Sequence, residues 1–193
     1  MDKIQNNAML LSTKITKFSN TRRDSGMADE LTVAKKASAN VIKVTKTLFA
    51  SPIIKGLNKA HGQLRNHTEK FNTLPWAERE RLIPCESIDP FEAAWVKKTD
   101  YIEDLKRELY KEYPNMMKRA AKDLGDAFDI NDYPTVEEIL SAYSASYTLK
   151  KLPESGDLRV NLPADKLQKI KDGIEADVTS RVEAAAESVH ERV

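Results

Sequence analysis

Pro75 and Pro84 bracket a stretch, Thr73-Leu74-Pro75-Trp76-Ala77-Glu78-Arg79-Glu80-Arg81-Leu82-Ile83-Pro84-Cys85, through which no helix can run. Each proline lacks a backbone donor and pushes the residue before it toward extended geometry. Helical periodicity stands on both sides, so the chain must turn here. Trp76, Leu82 and Ile83 are apolar enough to pin the turn against those helices, while Arg79 and Arg81 can reach carboxylates or backbone carbonyls. The sequence therefore predicts a hinge over residues 73–87, with Leu74, Pro75, Trp76, Arg79, Arg81, Leu82 and Pro84 as its clasp.

The remaining segments fall on either side of that hinge. Residues 9–26 read as a strand, in which Leu11, Thr13 and Ile15 alternate with Ser12, Lys14 and Thr16, followed by a polar loop carrying Arg22 and Arg23. From 29 to 72 the spacing predicts basic helices. Ala34, Ala37, Val41, Val44 and Leu48 repeat at three and four like a coiled-coil seam, and Ser51-Pro52 introduces a kink before Ile53, Ile54, Leu57, Ala60, Leu64 and Phe71 resume the stripe. After the hinge, Asp89-Pro90-Phe91-Glu92 opens acidic helices over 88–125 with Asp89 as N-cap. Tyr113-Pro114 interrupts them and Gly125 ends them.

Thr135 and Glu138 form a capping box at a short helix, and alternation over 146–162 with a turn at Pro153–Asp157 predicts a β-hairpin. A two-stranded ribbon is marginal alone, so the N-terminal strand is its expected third member. Pro163 then opens an amphipathic helix whose stripe comprises Leu167, Ile170, Ile174, Val178, Val182, Ala185 and Val189. The expected fold is mainly α, a long antiparallel helical hairpin or bundle with coiled-coil-like seams plus a small antiparallel sheet. All of it is expected to form a single elongated domain over 1–193.

Charge divides the chain. Residues 1–75 hold 13 Lys or Arg against 5 Asp or Glu, leaving 18 basic and 25 acidic of the 31 and 30 in the whole sequence. Such halves either lie against each other or meet head to tail in an oligomer, or else the basic half contacts an anion such as nucleic acid. Arg22, Arg23, Lys35, Lys36, Lys43 and Lys46 are the candidate anion-binding set. Their aromatic company, Phe18, Phe49 and Phe71, is sparse for base stacking.

Several chemistries lack their residues. One cysteine, Cys85, excludes an internal disulfide and a cysteine-rich metal site, and reads as a packing residue. His61 and His67 stand six apart, the wrong spacing for two ligands on one helical face, and read as surface or boundary histidines. Residues 126–133 hold carboxylates out of register with a calcium loop. Glu103, Asp104 and Glu108 are interleaved with Lys106, Arg107 and Lys111 as on a solvated helix face. The six glycines are scattered and make no phosphate loop, so no catalytic residue, cofactor or metal is assigned. No stretch approaches the length of a membrane span and no leader pattern opens the chain, so a cytoplasmic protein is expected, in the host cytoplasm if phage-encoded.

Thr73-Leu74-Pro75-Trp76, Arg81-Leu82-Ile83-Pro84, Leu124-Gly125, Tyr133-Pro134 and Gly156-Asp157-Leu158-Arg159-Val160, in that order, resemble a group of phage and plasmid proteins known only as a domain of unknown function. The resemblance implies a helical protein and, because some members are encoded near MoxR-like AAA+ ATPases, such an ATPase as a partner. It transfers no catalytic residue. The reading that follows is a non-enzymatic phage accessory protein working by self-assembly and protein binding, with the stripe Leu167, Ile170, Ile174, Val178, Val182 and Val189 as its candidate partner surface. The alternative is a nucleic-acid-binding accessory of replication or recombination.

Overall fold

The computed structural model describes residues 7–155 and 163–190, without the side chains at 186 and 188–190. The chain is mainly α with a small antiparallel sheet. Its strands are β1 (Ala8–Thr16), β2 (Thr21–Arg23), β3 (Thr45–Thr47), β4 (Leu74–Ala77), β5 (Glu80–Pro84) and β6 (Ser144–Lys150). Its α-helices are α1 (Ser25–Ala34), α2 (Pro52–Lys70), α3 (Ile88–Leu124), α4 (Val136–Ala142) and α5 (Ala164–His190). Contacts group into two compact units, one of 1–15, 63–98 and 145–193, the other of 16–62 and 99–144. The division falls inside α2 and α3, so both helices contribute to each unit.

The first unit is built on a sheet of order β4-β5-β1-β6. The predicted hinge is therefore a β-hairpin, with Leu74 opposite Leu82, Pro75 opposite Arg81 and an irregularity between Pro75 and Ala77. Proline is tolerated because β4 is an edge strand. β5 pairs with β1, Leu10 facing Leu82 and Met9 facing Ile83. Alternation puts Leu10 and Leu82 on one face, where they join Ala8, Trp76, Leu152 and Val178 in a buried cluster flanked by Leu74, Ile174 and Val182. β6 lies beside β1, as expected of the first strand of the late hairpin. The second strand of that hairpin falls at 156–162, outside the described residues. Elsewhere in this unit His67 of α2 stacks on Phe91 of α3 at 5.2 Å, and Tyr147 meets both Phe91 and Trp95 edge to face.

The second unit holds the first half of α2 against α3 beyond Thr99, Gly56 facing Leu105. Phe49 packs against Tyr113 and Tyr133, and the Asn20 amide brackets it, donating to the Phe49 carbonyl (2.8 Å) and accepting from its N–H (3.0 Å). The Thr135–Glu138 capping box forms as expected, and Gly125 ends α3 with φ +51.

Three expectations are corrected. The basic segment is not helical throughout: residues 35–51 contain no helix, since Lys36 and Asn40 take left-handed φ of 51 and 66. The segment from Val41 to Thr47, β-branched at every position except Lys43 and Lys46, instead ends in β3, paired with β2. The spacing of Ala34, Ala37, Val41, Val44 and Leu48 is thus not a seam. Second, α3 begins at Ile88 after a 3-10 turn at Cys85–Ser87, so Asp89 lies in the first turn rather than capping it. Third, α3 continues through Pro114. Pro114 and Tyr110 are both exposed, so the Tyr110 carbonyl deprived of its partner can be hydrated.

Candidate interaction surface

The hinge residues are spent on structure. Arg81 donates from Nε to Thr73 Oγ1 (2.6 Å) and from Nη2 to the carbonyls of Thr73 and Glu69 (both 2.9 Å), placing its charge at the C-terminal end of α2. Trp76 is buried under α5, where Arg181 lies over its ring at 6.0 Å and donates to its carbonyl (2.9 Å). Arg79 is solvated, with a long 3.9 Å pair to its neighbour Glu78. Pro84 closes β5, and Cys85 beside it is exposed rather than packed, because it begins a turn at the surface.

The predicted partner stripe on α5 is largely occupied from within. Val178 is buried, and Ile174 and Val182 pack against the sheet cluster. Leu167 is half-buried and Ile170 is 40% exposed, while the Val189 side chain lies outside the described set.

The candidate anion-binding set divides. Lys46 is sequestered: its ammonium meets Asp132 Oδ2 at 2.7 Å, donates to the Ala127 carbonyl and lies 3.8 Å from Asp24. The hydrogen bond it donates to Asp132 holds its pKa above the usual lysine value. Arg22 pairs loosely with Asp132 at 3.8 Å. Arg23, Lys35, Lys36 and Lys43 are exposed and carry no ion pair among the described residues. Phe49 is in the core and Phe18 and Phe71 are half-buried, so no open aromatic platform accompanies these cations.

His61, expected near the surface, is instead 2% exposed beside Tyr143 (ring centroids 5.1 Å), and neither ring nitrogen has a protein hydrogen-bond partner. Burial pushes its pKa below the ordinary histidine value, Lys106 and Lys17 adding to the effect and Glu103 opposing it. Burial also lowers His67 and pushes the Tyr143 phenol up to about 12. Among the described residues no group of His, Cys, Asp or Glu is arranged to hold a metal, and no helix is long and apolar enough to cross a membrane.

What the sequence reading missed is the start and the exposure of α1, of which it placed only 29–34 in a helix. This ten-residue helix is capped by Asp24, whose carboxylate accepts from Met27 N–H (2.9 Å), yet it buries only Ala28. Met27, Leu31 and Val33 are 40%, 38% and 79% exposed, and Val41 in the following loop is 69% exposed. A backbone hydrogen bond from Asp24 N–H to the Val44 carbonyl (2.9 Å) closes the excursion next to the Arg23–Thr45 pair of the β2–β3 ribbon. Beside it Met27, Val44, Leu48, Ala120 and Leu124 line an apolar depression of about 390 Å³. The available signal was the turn-forming Ser-Asn-Thr-Arg-Arg-Asp-Ser-Gly segment, whose Asp24 is an N-cap residue placed directly before this helix. Comparison with known proteins finds no family model, no curated protein and no solved structure that matches the chain.

Proposed function

We propose that this is a non-enzymatic protein that works by self-assembly and protein binding, a phage accessory in the host cytoplasm with an AAA+ ATPase among its partners. The observation that carries the reading is the α1 excursion. An isolated ten-residue helix is marginal in water, and helices of that length are normally held by burying an apolar face. α1 instead turns Met27, Leu31 and Val33 outward. Met27 and Leu31, four residues apart, share one helical face, and exposed aliphatics grouped on a surface are characteristic of contact sites. The contact surface is therefore assigned to α1 and the loop to Lys43 rather than to the α5 stripe, much of which the sheet already covers. Nucleic-acid binding is the weaker reading: its cations are exposed, but Lys46 is neutralised and the aromatics are withdrawn.

Light scattering across a concentration series, at low and physiological salt, tests the assembly reading. A mass rising above the 21.8 kDa of one chain supports it. A single chain at every concentration would remove self-assembly, leaving only the heterologous partner.

A further inference from the structure

The excursion carries two unmatched surfaces side by side. Its loop presents Val33 and Val41 with Lys35, Lys36 and Lys43, and the segment from 33 to 43 contains no carboxylate. The neighbouring depression is mostly apolar, and Met27, Val44 and Leu124 line it together with Asp123. An adjoining polar bowl shares Asp24, Lys46 and Ala127 with it and adds Arg23 together with Asp126, Asp129 and Asp132, so carboxylates outnumber cations there. Lys46 occupies Asp132 and approaches Asp24. Asp123, Asp126 and Asp129 form no ion pair among the described residues, and neither do the three loop lysines. One folded unit thus leaves lysines next to exposed valines, and aspartates next to an apolar hollow.

We infer that the occupant of this hollow is the 33–43 loop of a second copy of the chain, exchanged reciprocally about a two-fold axis. The inference rests on the self-assembly reading above and deepens it. The loop runs directly into Val44, which lines the hollow, so protrusion and depression adjoin along the chain. A face that carries both a feature and its complement closes as an isologous dimer, each loop entering the other's hollow. The valines fill the apolar hollow while the lysines meet Asp123 and Asp126. The left-handed Lys36 and Asn40 and the backbone bonds from Lys36 to Val33 and from Val41 to Ser38 give the loop a defined shape before it docks, which lowers the ordering cost of association.

A charge exchange tests this directly. One variant carries Lys35→Glu, Lys36→Glu and Lys43→Glu; the other carries Asp123→Lys and Asp126→Lys, positions that are exposed and make no side-chain hydrogen bond among the described residues. Each is checked for native helix content by circular dichroism, then measured by sedimentation equilibrium alone and as an equimolar mixture. The wild-type chain is expected to dimerise, more weakly at high salt, and each variant alone to dimerise at least about tenfold more weakly. The mixture is expected to recover a dimer, because the acidic loop of one then meets the basic hollow of the other and the reverse contact is native. Wild-type-like dimers in both variants, or weakened variants whose mixture stays monomeric, would overturn the reciprocal docking while leaving self-assembly standing. A wild-type chain that never exceeds a monomer would overturn both.

Discussion

Replacing Arg81 should loosen the first unit by an amount that follows from its partners. Thr73 is 2% exposed, and its hydroxyl already donates to the Thr68 carbonyl (2.8 Å), so its oxygen lone pairs rely on Arg81, as does its own carbonyl. Arg81→Ala strands two acceptors in a buried setting, each costing about 1–3 kcal/mol less whatever water enters the vacated space. The third acceptor, the Glu69 carbonyl, is at an exposed position and rehydrates. The expected loss is about 2–4 kcal/mol. Arg81→Lys keeps the charge but offers no planar fork, so it should satisfy one acceptor and recover about half of that loss. Both tryptophans, Trp76 and Trp95, lie in the same unit as Arg81, so fluorescence-monitored urea unfolding reports this unit selectively. A change below about 0.5 kcal/mol for Arg81→Ala, the range of an ordinary surface substitution, would refute the claim that this guanidinium fastens α2 to the hairpin.

Three further outcomes are expected. His61 is held neutral when folded, so between the unfolded value of 6.5 and its lower folded pKa the unfolded chain binds more protons. Its contribution is intact above about 6.5 and lost as pH falls, with a slope approaching 1.4 kcal/mol per pH unit. His67 adds in the same direction, so His61→Phe should gain more stability at pH 5 than at pH 8 in urea melts followed by circular dichroism, and parallel pH profiles would exclude it. Lys46→Met leaves Asp132, among the described residues, with only the loose Arg22 pair and should destabilise the second unit by about 2–3 kcal/mol, whereas Lys46→Met combined with Asp132→Leu should recover most of it, measured as a double-mutant cycle. Fluorescence anisotropy with labelled single- and double-stranded oligonucleotides should show no binding at physiological salt; saturable binding there would restore the nucleic-acid reading.

Legibility in the sequence followed the strength of the local signal. The long apolar stripes of α2, α3 and α5, the Thr135–Glu138 box and the Gly125 stop were all readable, because each is specified within a few residues. The 35–51 segment was not. A three-four spacing of small and aliphatic residues suits a helix, but left-handed Lys36 and Asn40 and the pairing of Thr45–Thr47 with Thr21–Arg23 outweigh it, and that pairing is non-local. The hairpin at 74–84 is legible as a reversal but not as two strands of a sheet, since its pairing with β1 spans much of the chain. Composition exposed the charge division, yet only coordinates separate Lys46, consumed by Asp132, from Lys35, Lys36 and Lys43. The α5 stripe illustrates the same limit: periodicity identifies an apolar face but not what covers it.

The most direct test of the account is amide hydrogen exchange of α1 as a function of protein concentration. Ten residues that bury only Ala28 should exchange rapidly when the chain is dilute and gain protection as it is concentrated, with α5 unchanged. Exchange in α1 that is equally fast at every concentration would contradict the assignment of this helix as the assembly surface.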